Sequence, residues 1–297
     1  MSEDLRMLRS MLFTPGNRAD LITKAFASGA DAIIVDLEDA VPVSSKAQAR
    51  ENLQRLAPGP VPTFTRVNAA DTEFFWADVV AAAAAGVAGI VLPKADDPRL
   101  MQRLDGALTA LEVQSGRQPG STTLMPLIES SLGVARARKI LASSPRVSSV
   151  LFGSGEQGDL VVDLGCEWTP DGAALLAARS LVLIAARSVG IEHPLDAVFM
   201  DFRNLEALRI ECELAKRIGY VGKVAIHPAQ IPIIHAVFTP SPEEISQQEK
   251  LLATFDDAVA NGSASINIDG RMVDYAVARR ARSILARAGA LRTTPQP

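Results

Sequence analysis

Cysteine is scarce in this sequence. Cys166 and Cys212 are the only two in 297 residues, too few for a thiolate metal cage, and they read as reduced side chains of a cytosolic protein. The three histidines, His193, His227 and His235, form no motif either. No long basic run occurs and the net charge is −4, which argues against nucleic acid as a partner. The most apolar stretch, VVAAAAAGVAGIVLP (79–93), is too short to span a bilayer and is interrupted by Gly86 and Gly89. The opening MSEDLRMLRS is charged where a secretory signal would be apolar. These absences lead to the expectation of a soluble cytoplasmic protein with neither nucleic acid nor membrane as partner.

What is present is core material. Apolar residues make up 48% and charged residues 22%, ordinary for a globular chain, and α/β barrels often fill this length as one unit. Eight short apolar runs alternate with stretches of helical spacing: SMLF (10–13), AIIVDL (32–37), TFTRV (63–67), GIVLP (89–93), TLMPLI (123–128), SSVLF (148–152), DAVFM (196–200) and KVAI (223–226). Near-continuous apolar, β-branched runs are what strands buried on both faces require. Eight β-α alternations give an α/β fold, a (β/α)8 TIM barrel over residues 1–240, with a doubly wound open sheet as the alternative. After the eighth run, FTPSPEEISQQEKLLATFDDAVANG and INIDGRMVDYAVARRARSILARAGA form a different pattern: a long amphipathic helix, a short extended piece and an Arg-rich helix. Residues 241–297 are therefore expected to be a C-terminal helical extension, too small to be stable alone, packed on its own barrel or on a neighbouring subunit.

The stretch LFGSGEQGDLVVDLG (151–165) carries two conflicting signals. Gly153, Gly155 and Gly158 spell GxGxxG after an apolar run, a dinucleotide-binding pattern. Yet that pattern requires a helix at once and an acid about 20 residues on for the ribose. Here the helix is expected only after Thr169-Pro170, and the neighbourhood AALLAARSLVL holds no acid. Glu156, Asp159 and Asp163 would repel a pyrophosphate and attract a cation, so a metal loop is the better reading.

In a barrel the chemistry gathers at the C-terminal ends of the strands. The residues expected there are Thr14-Pro15-Gly16-Asn17-Arg18, Asp36-Leu37-Glu38-Asp39, Arg66 with Asn68, Pro93-Lys94, Glu129, the Glu156/Asp159 loop, Asp201 and His227. Carboxylates on adjacent strands five and six, with no Cys or His cluster, point to Mg²⁺ or Mn²⁺ rather than zinc. Arg66 has the fork geometry to hold a carboxylate through two bonds. Plainer roles stand beside these. Glu129 can cap the next helix, Asp159 can be a turn acid, and Glu38 with Asp39 can open a helix. Lys94 is either a Schiff-base nucleophile or a salt-bridged structural lysine, and His227 either positions a turn or acts as a base.

Taken in order, RSMLFTPGNR, DAIIVDLEDAV, RVNAADT, GIVLPKAD, PLIES, DLVVDLG, GYVGKVAIHPAQI and GRMVDYAVARRA resemble the citrate lyase β-subunit-like (CitE-like) family of the HpcH/HpaI aldolase superfamily, over nearly the whole chain. The resemblance implies a Mg²⁺-dependent (β/α)8 barrel, usually trimeric or a dimer of trimers, acting on carbon–carbon bonds of acyl thioesters such as malyl-CoA, citramalyl-CoA or citryl thioester. It implies Glu129 and Asp159 as metal ligands and Arg66 as the arginine for the oxo-acid carboxylate and thioester oxygen. Glu38 becomes the acid supporting the metal-bound water. Asp274 becomes the acid/base that the tail carries into a neighbour's site. Thr14 and Pro15 of LFTPGNR, with Arg18 and Lys24, fall where the family meets the CoA nucleotide.

Two departures stand out. FGSGEQGDL is longer than the family's step from FG to Glu-Asp-Leu, so that Glu156 can replace or join Asp159, and Tyr275 stands where proline usually follows the catalytic Asp. The function expected is cleavage or formation of a 3-hydroxyacyl-CoA by a CoA lyase, with a 2-oxo acid as the other small molecule, in a homotrimer or hexamer. The alternatives are a citrate lyase β-subunit using an acyl-carrier-protein thioester, a thioesterase or malate-synthase-like enzyme, and a non-catalytic acyl-CoA binder. The full C-terminal tail favours the stand-alone CoA enzyme over the subunit.

Overall fold

A computed structural model describes residues 8–169 and 171–293. The first seven residues of the charged opening, and Pro170 of the expected helix start, lie outside the described residues. The chain divides into two compact units, Met1–Phe238 and Thr239–Pro297.

In the first unit eight parallel strands close into a barrel, each paired with the next and the eighth with the first. They are β1 (Ser10–Pro15), β2 (Ala32–Asp36), β3 (Thr63–Arg66), β4 (Gly89–Leu92), β5 (Thr123–Ile128), β6 (Leu151–Phe152), β7 (Leu195–Asp196) and β8 (Gly222–Ala225). The helices α1 (Ala19–Phe26), α2 (Lys46–Gln54), α3 (Phe75–Ala85), α4 (Pro98–Gln114), α5 (Ser131–Leu141), α6 (Asp159–Leu164), α7 (Ala173–Ser188), α8 (Leu205–Ile218) and α9 (Ile231–Phe238) connect and surround them. Closure excludes the open-sheet alternative. The continuous apolar runs serve two cores. Inward-facing Met11, Ala32, Ile34, Phe64, Val91, Met125, Leu127, Leu151, Leu195 and Val224 fill the barrel. Their outward neighbours, among them Leu12, Ile33, Val35, Ile90, Leu92 and Ile128, pack under the helices.

Strands six and seven are shorter than the runs SSVLF and DAVFM suggest. Pro126 in β5 has no amide to donate, and between Leu124↔Val147 and Leu127↔Leu151 the sixth segment gains one residue over β5, which is a bulge. Past Asp196 the chain leaves the ladder, and the Phe199 carbonyl accepts instead from Gln230 Nε2 (2.9 Å). A buried ion network stands at this seam. Lys223 on β8 and Arg179 on α7 bind Asp196 on β7 at 2.7 and 3.1 Å, and both reach Glu211 on α8. Two cations and two anions cancel there, which is the condition for burying any of them.

The GxGxxG stretch departs from expectation. A helix does follow the glycines at once, because Gly158 precedes it and Asp159 takes its favourable place in the first turn. It stops after six residues, where Gly165 adopts φ +61°.

The second unit contains α10 (Pro242–Ala260), the strands β9 (Ser265–Ile268) and β10 (Arg271–Asp274), and α11 (Tyr275–Thr293). The expected extended piece is an antiparallel hairpin. Its turn is Asp269-Gly270, both at positive φ (+49° and +77°), the two-residue connection that matches strand twist. Phe255, Val273 and Ala278 form this unit's own small core. Among the described residues no helix is long and apolar enough to cross a membrane.

Candidate active site

Asp36 and Arg66 end β2 and β3 as register partners. Both face inward at the C-terminal mouth, and the guanidinium binds the carboxylate through two bonds of 2.7 Å, Nε to Oδ1 and Nη2 to Oδ2. The fork expected to grip a substrate carboxylate is thus engaged inside the protein. What remains is Nη1, which stands 2.9 Å from Glu38 Oε2. The Phe13 ring supports the guanidinium carbon at 4.8 Å. Burial opposes the charge on Arg66, but Asp36 above all, with Glu38 and Glu129, outweighs it and raises its pKa.

Glu38 is held by its backbone. Its amide donates to Asp36 Oδ1 (3.0 Å), and Lys46 Nζ donates to the carbonyls of Leu37 and Glu38 at 2.7 Å each. Asn68 Nδ2 donates to the Leu37 carbonyl (2.8 Å), and Asn68 is itself bound by buried Asp78. The Asp36–Asp39 segment is therefore a clamped loop rather than a helix start, since α2 begins only at Lys46. Glu38 is 6% exposed. Burial, only partly countered by Arg66, pushes its carboxyl up to about 8, and Oε2 finds no aligned hydrogen-bond donor.

Glu129 follows β5. It does not cap α5, because Ser130 does, its side chain accepting from Gly133 N. Glu129 Oε1 accepts from the Lys94 amide (2.8 Å). Burial pushes its carboxyl up to about 7, against that bond and the charge of Arg66. Gly153 lies alongside: a Cβ there would meet Glu129 Cβ at 2.5 Å. Asp159 begins α6, half exposed, with Lys94 Nζ 3.5 Å from Oδ2. Its charge is felt by Glu129. Glu156 is exposed, and Asp163 accepts from the Ser131 amide (2.5 Å) instead of facing this cluster.

Thr14 and Pro15 end β1 at the same mouth, and Arg18 opens α1, paired on the surface with Asp20. Lys24 lies in the last turn of α1, about 9 Å further along the helix at 1.5 Å per residue, and is not among the residues gathered at the mouth. His227 positions a turn: Nδ1 accepts from Ala229 N and Phe202 stacks on the ring at 4.7 Å. In the second unit, half-buried Asp274 ends β10, and its Oδ1 accepts from the amides of Ala276 and Val277 at the start of α11. Reading the sequence missed Asp36 as the partner of Arg66, and the roles of Phe13, Lys46 and Asp78.

The donor set suits a hard divalent cation. Asp36, Glu38, Asp39, Glu129 and Asp159 gather around Arg66 and Lys94, with Lys46 behind the first three, and two of the acids are raised by burial. Among the described residues no group of three Asp, Glu, His or Cys side chains is arranged as a metal cage. A two-carboxylate site that leaves positions to water and substrate is the habit of Mg²⁺.

Comparison with known proteins shows the family. Residues 180–291 match the family described as C-C bond lyase of the TIM-barrel fold. The citrate lyase subunit beta of Leuconostoc mesenteroides subsp. cremoris is 36% identical over 289 residues, covering 96% of this chain and 94% of that protein. The (3S)-malyl-CoA thioesterase of Cereibacter sphaeroides (strain KD131) is 35% identical over 295 residues, covering 98% of each. A crystal structure of CitE from Mycobacterium tuberculosis in complex with magnesium, acetoacetate and coenzyme A superposes with a TM-score of 0.79 at 30% identity, covering 96% of this chain and 99% of that one. With residues 9–228 matching its pattern, this chain belongs to the HpcH/HpaI aldolase/citrate lyase family.

Proposed function

We propose that this protein is a magnesium-dependent carbon–carbon lyase that cleaves or forms a 3-hydroxyacyl-CoA such as citramalyl-CoA or malyl-CoA, with a 2-oxo acid as the other partner. The observation that carries the reading is the cluster at the barrel mouth: buried Asp36, Glu38 and Glu129 with the more exposed Asp39 and Asp159, gathered around Arg66 and Lys94. Glu129 and Asp159 are the residues that would hold the metal, and Mn²⁺ can replace Mg²⁺ in such a site. When bound, the metal supplies Lewis-acid polarisation of the acid's oxygens.

The chain's own residues do the rest. Arg66, immobilised by Asp36, holds Nη1 in a fixed place beside Glu38, and this is the donor we assign to the negative charge that develops on the thioester oxygen. Glu38 holds a water or a proton beside it. Asp274 protonates the carbon released from the broken bond, or removes that proton in the condensing direction. Its Oδ1 is engaged by the helix amides, so Oδ2 is the oxygen left for this exchange. Thr14, Pro15 and Arg18 line the side of the mouth on which we place the CoA nucleotide, and Lys24 is a more distant candidate. We place the protein in the cytoplasm as a homotrimer or hexamer in which the tail serves a neighbour's site.

A citrate lyase β-subunit acting on a carrier-protein thioester is the second reading. The tail does not discriminate against it, as the sequence suggested, because the Leuconostoc subunit aligns with 96% of this chain. A malyl-CoA thioesterase is the third. Purified protein with Mg²⁺ and a panel of malyl-CoA, citramalyl-CoA and 3-hydroxy-3-methylglutaryl-CoA is expected to release an oxo acid, and EDTA to stop it. Asp274→Asn is expected to lose turnover while still binding the thioester. Free CoA without oxo acid would transfer the assignment to a thioesterase, and silence on all three would transfer it to a carrier-protein substrate.

A further inference from the structure

Lys94 touches both candidate ligands, each with a different atom. It follows β4 and Pro93 at φ +48°, in the left-handed region that a residue with a Cβ disfavours. That turn aims its amide at Glu129 Oε1, 2.8 Å away. The same residue sends its ammonium to within 3.5 Å of Asp159 Oδ2. Glycine would take this backbone without strain and make the same amide bond. What lysine adds is the charge on a flexible stem.

We propose that Lys94 is a positioning residue of the metal site: its amide fixes Glu129, and its ammonium is the resident counter-cation of Asp159, which a divalent cation must displace to take that carboxylate. The inference rests on reading Glu129 and Asp159 as the metal pair. Two cations cannot share Asp159 at contact distance without repelling one another, so the ammonium must swing out as the metal enters. Its surroundings permit this. The Lys94 side chain is 48% exposed and that of Asp159 47%, and the four-carbon stem carries a compact, readily hydrated charge. Glu129, by contrast, is 9% exposed and tied by a backbone bond that does not depend on the lysine side chain. One ligand is thus fixed and the other exchangeable.

The sign of the effect separates this role from mere support. If the ammonium only propped Asp159, its removal would loosen the site and weaken the metal. If it is a competing cation, removal tightens it. The test uses the full chain and Mn²⁺ as the probe, with free Mn²⁺ read by electron paramagnetic resonance and no substrate present. Lys94→Met and Lys94→Gln are both expected to bind Mn²⁺ roughly two- to five-fold more tightly than wild type, the size of a half-exposed ion pair, while Lys94→Arg stays close to wild type. The gap should narrow at about 1 M salt, where exposed charges are screened. Unchanged or weaker Mn²⁺ binding in both neutral variants, with wild type binding normally, overturns the inference and leaves the metal pair standing. Wild type that binds no Mn²⁺, or binds it equally well as Glu129→Gln, overturns the metal pair and the inference with it.

Discussion

At the scale of single residues, the site is governed by carboxylates that burial makes reluctant to ionise. Glu38 shows it best, with its carboxyl pushed up to about 8 from an ordinary 4.5 and Oε2 met by the Arg66 charge without an aligned hydrogen bond. A raised acid pKa means the folded protein holds that proton more tightly than the unfolded chain. Its stabilising contribution is then complete below the unfolded pKa and lost as pH rises through the folded one. In the presence of EDTA, melting temperature should therefore carry a falling component between about pH 5 and about pH 8 that Glu38→Gln, a permanent stand-in for the protonated acid, lacks. Thermal melts of both proteins across that range check it, and parallel profiles would remove Glu38 as the source. Arg66 illustrates the opposite case. Its charge is stabilised by Asp36, and two of its donors are occupied there, so that the guanidinium has a fixed direction in place of a free fork.

At the scale of elements, the barrel brings strand ends together, and small residues decide how closely. Gly153, just after β6, lies against Glu129 at the end of β5, and a Cβ would come within 2.5 Å of Glu129 Cβ and 3.1 Å of its Cα. Neither atom is the far end of a flexible chain, so backbone must move. Gly153→Ala is expected to lose about 1–3 kcal/mol of stability, as overpacking does, and to weaken Mn²⁺ binding by displacing Glu129. Gly106→Ala in the middle of α4, where a Cβ meets nothing within 4 Å, should be neutral or stabilising. Calorimetry and a metal titration on the two variants check this, and a Gly153→Ala protein with wild-type metal affinity would refute it.

The same scale shows what could be read from the chain beforehand. Strand-end acids were legible because two-sided burial leaves a continuous apolar run that a charged residue ends visibly, as in AIIVD and PLIE. The Asp36–Arg66 pair was not, because it depends on which residues of β2 and β3 stand opposite each other, and register is not written in either segment. The short β6 was hidden because its cause is Pro126, on the neighbouring strand. The hairpin of the second unit was legible in Asp269-Gly270, a turn signal that the helical pattern on either side overshadowed.

At the scale of the whole molecule, the role we propose for Asp274 makes a prediction about how subunits share their parts. Glu129, Arg66 and Glu38 belong to the first compact unit and Asp274 to the second, so the role we propose for Asp274 would draw on both units, whether from one chain or from two. If the tail reaches a neighbouring subunit, two inactive variants can repair each other. Arg66→Gln chains would lend an intact tail, and Asp274→Asn chains an intact barrel. After unfolding and refolding an equal mixture, random assembly gives about one quarter of sites with both parts intact in a closed oligomer. Activity is therefore expected to return to about that fraction of wild type, and to be absent when each variant is refolded alone. If the tail serves its own barrel, no pairing of these chains yields a complete site, and the mixture stays as inactive as its components. Light scattering on the same samples would show that both variants assemble, so that silence in the mixture would speak against sharing between subunits rather than against assembly.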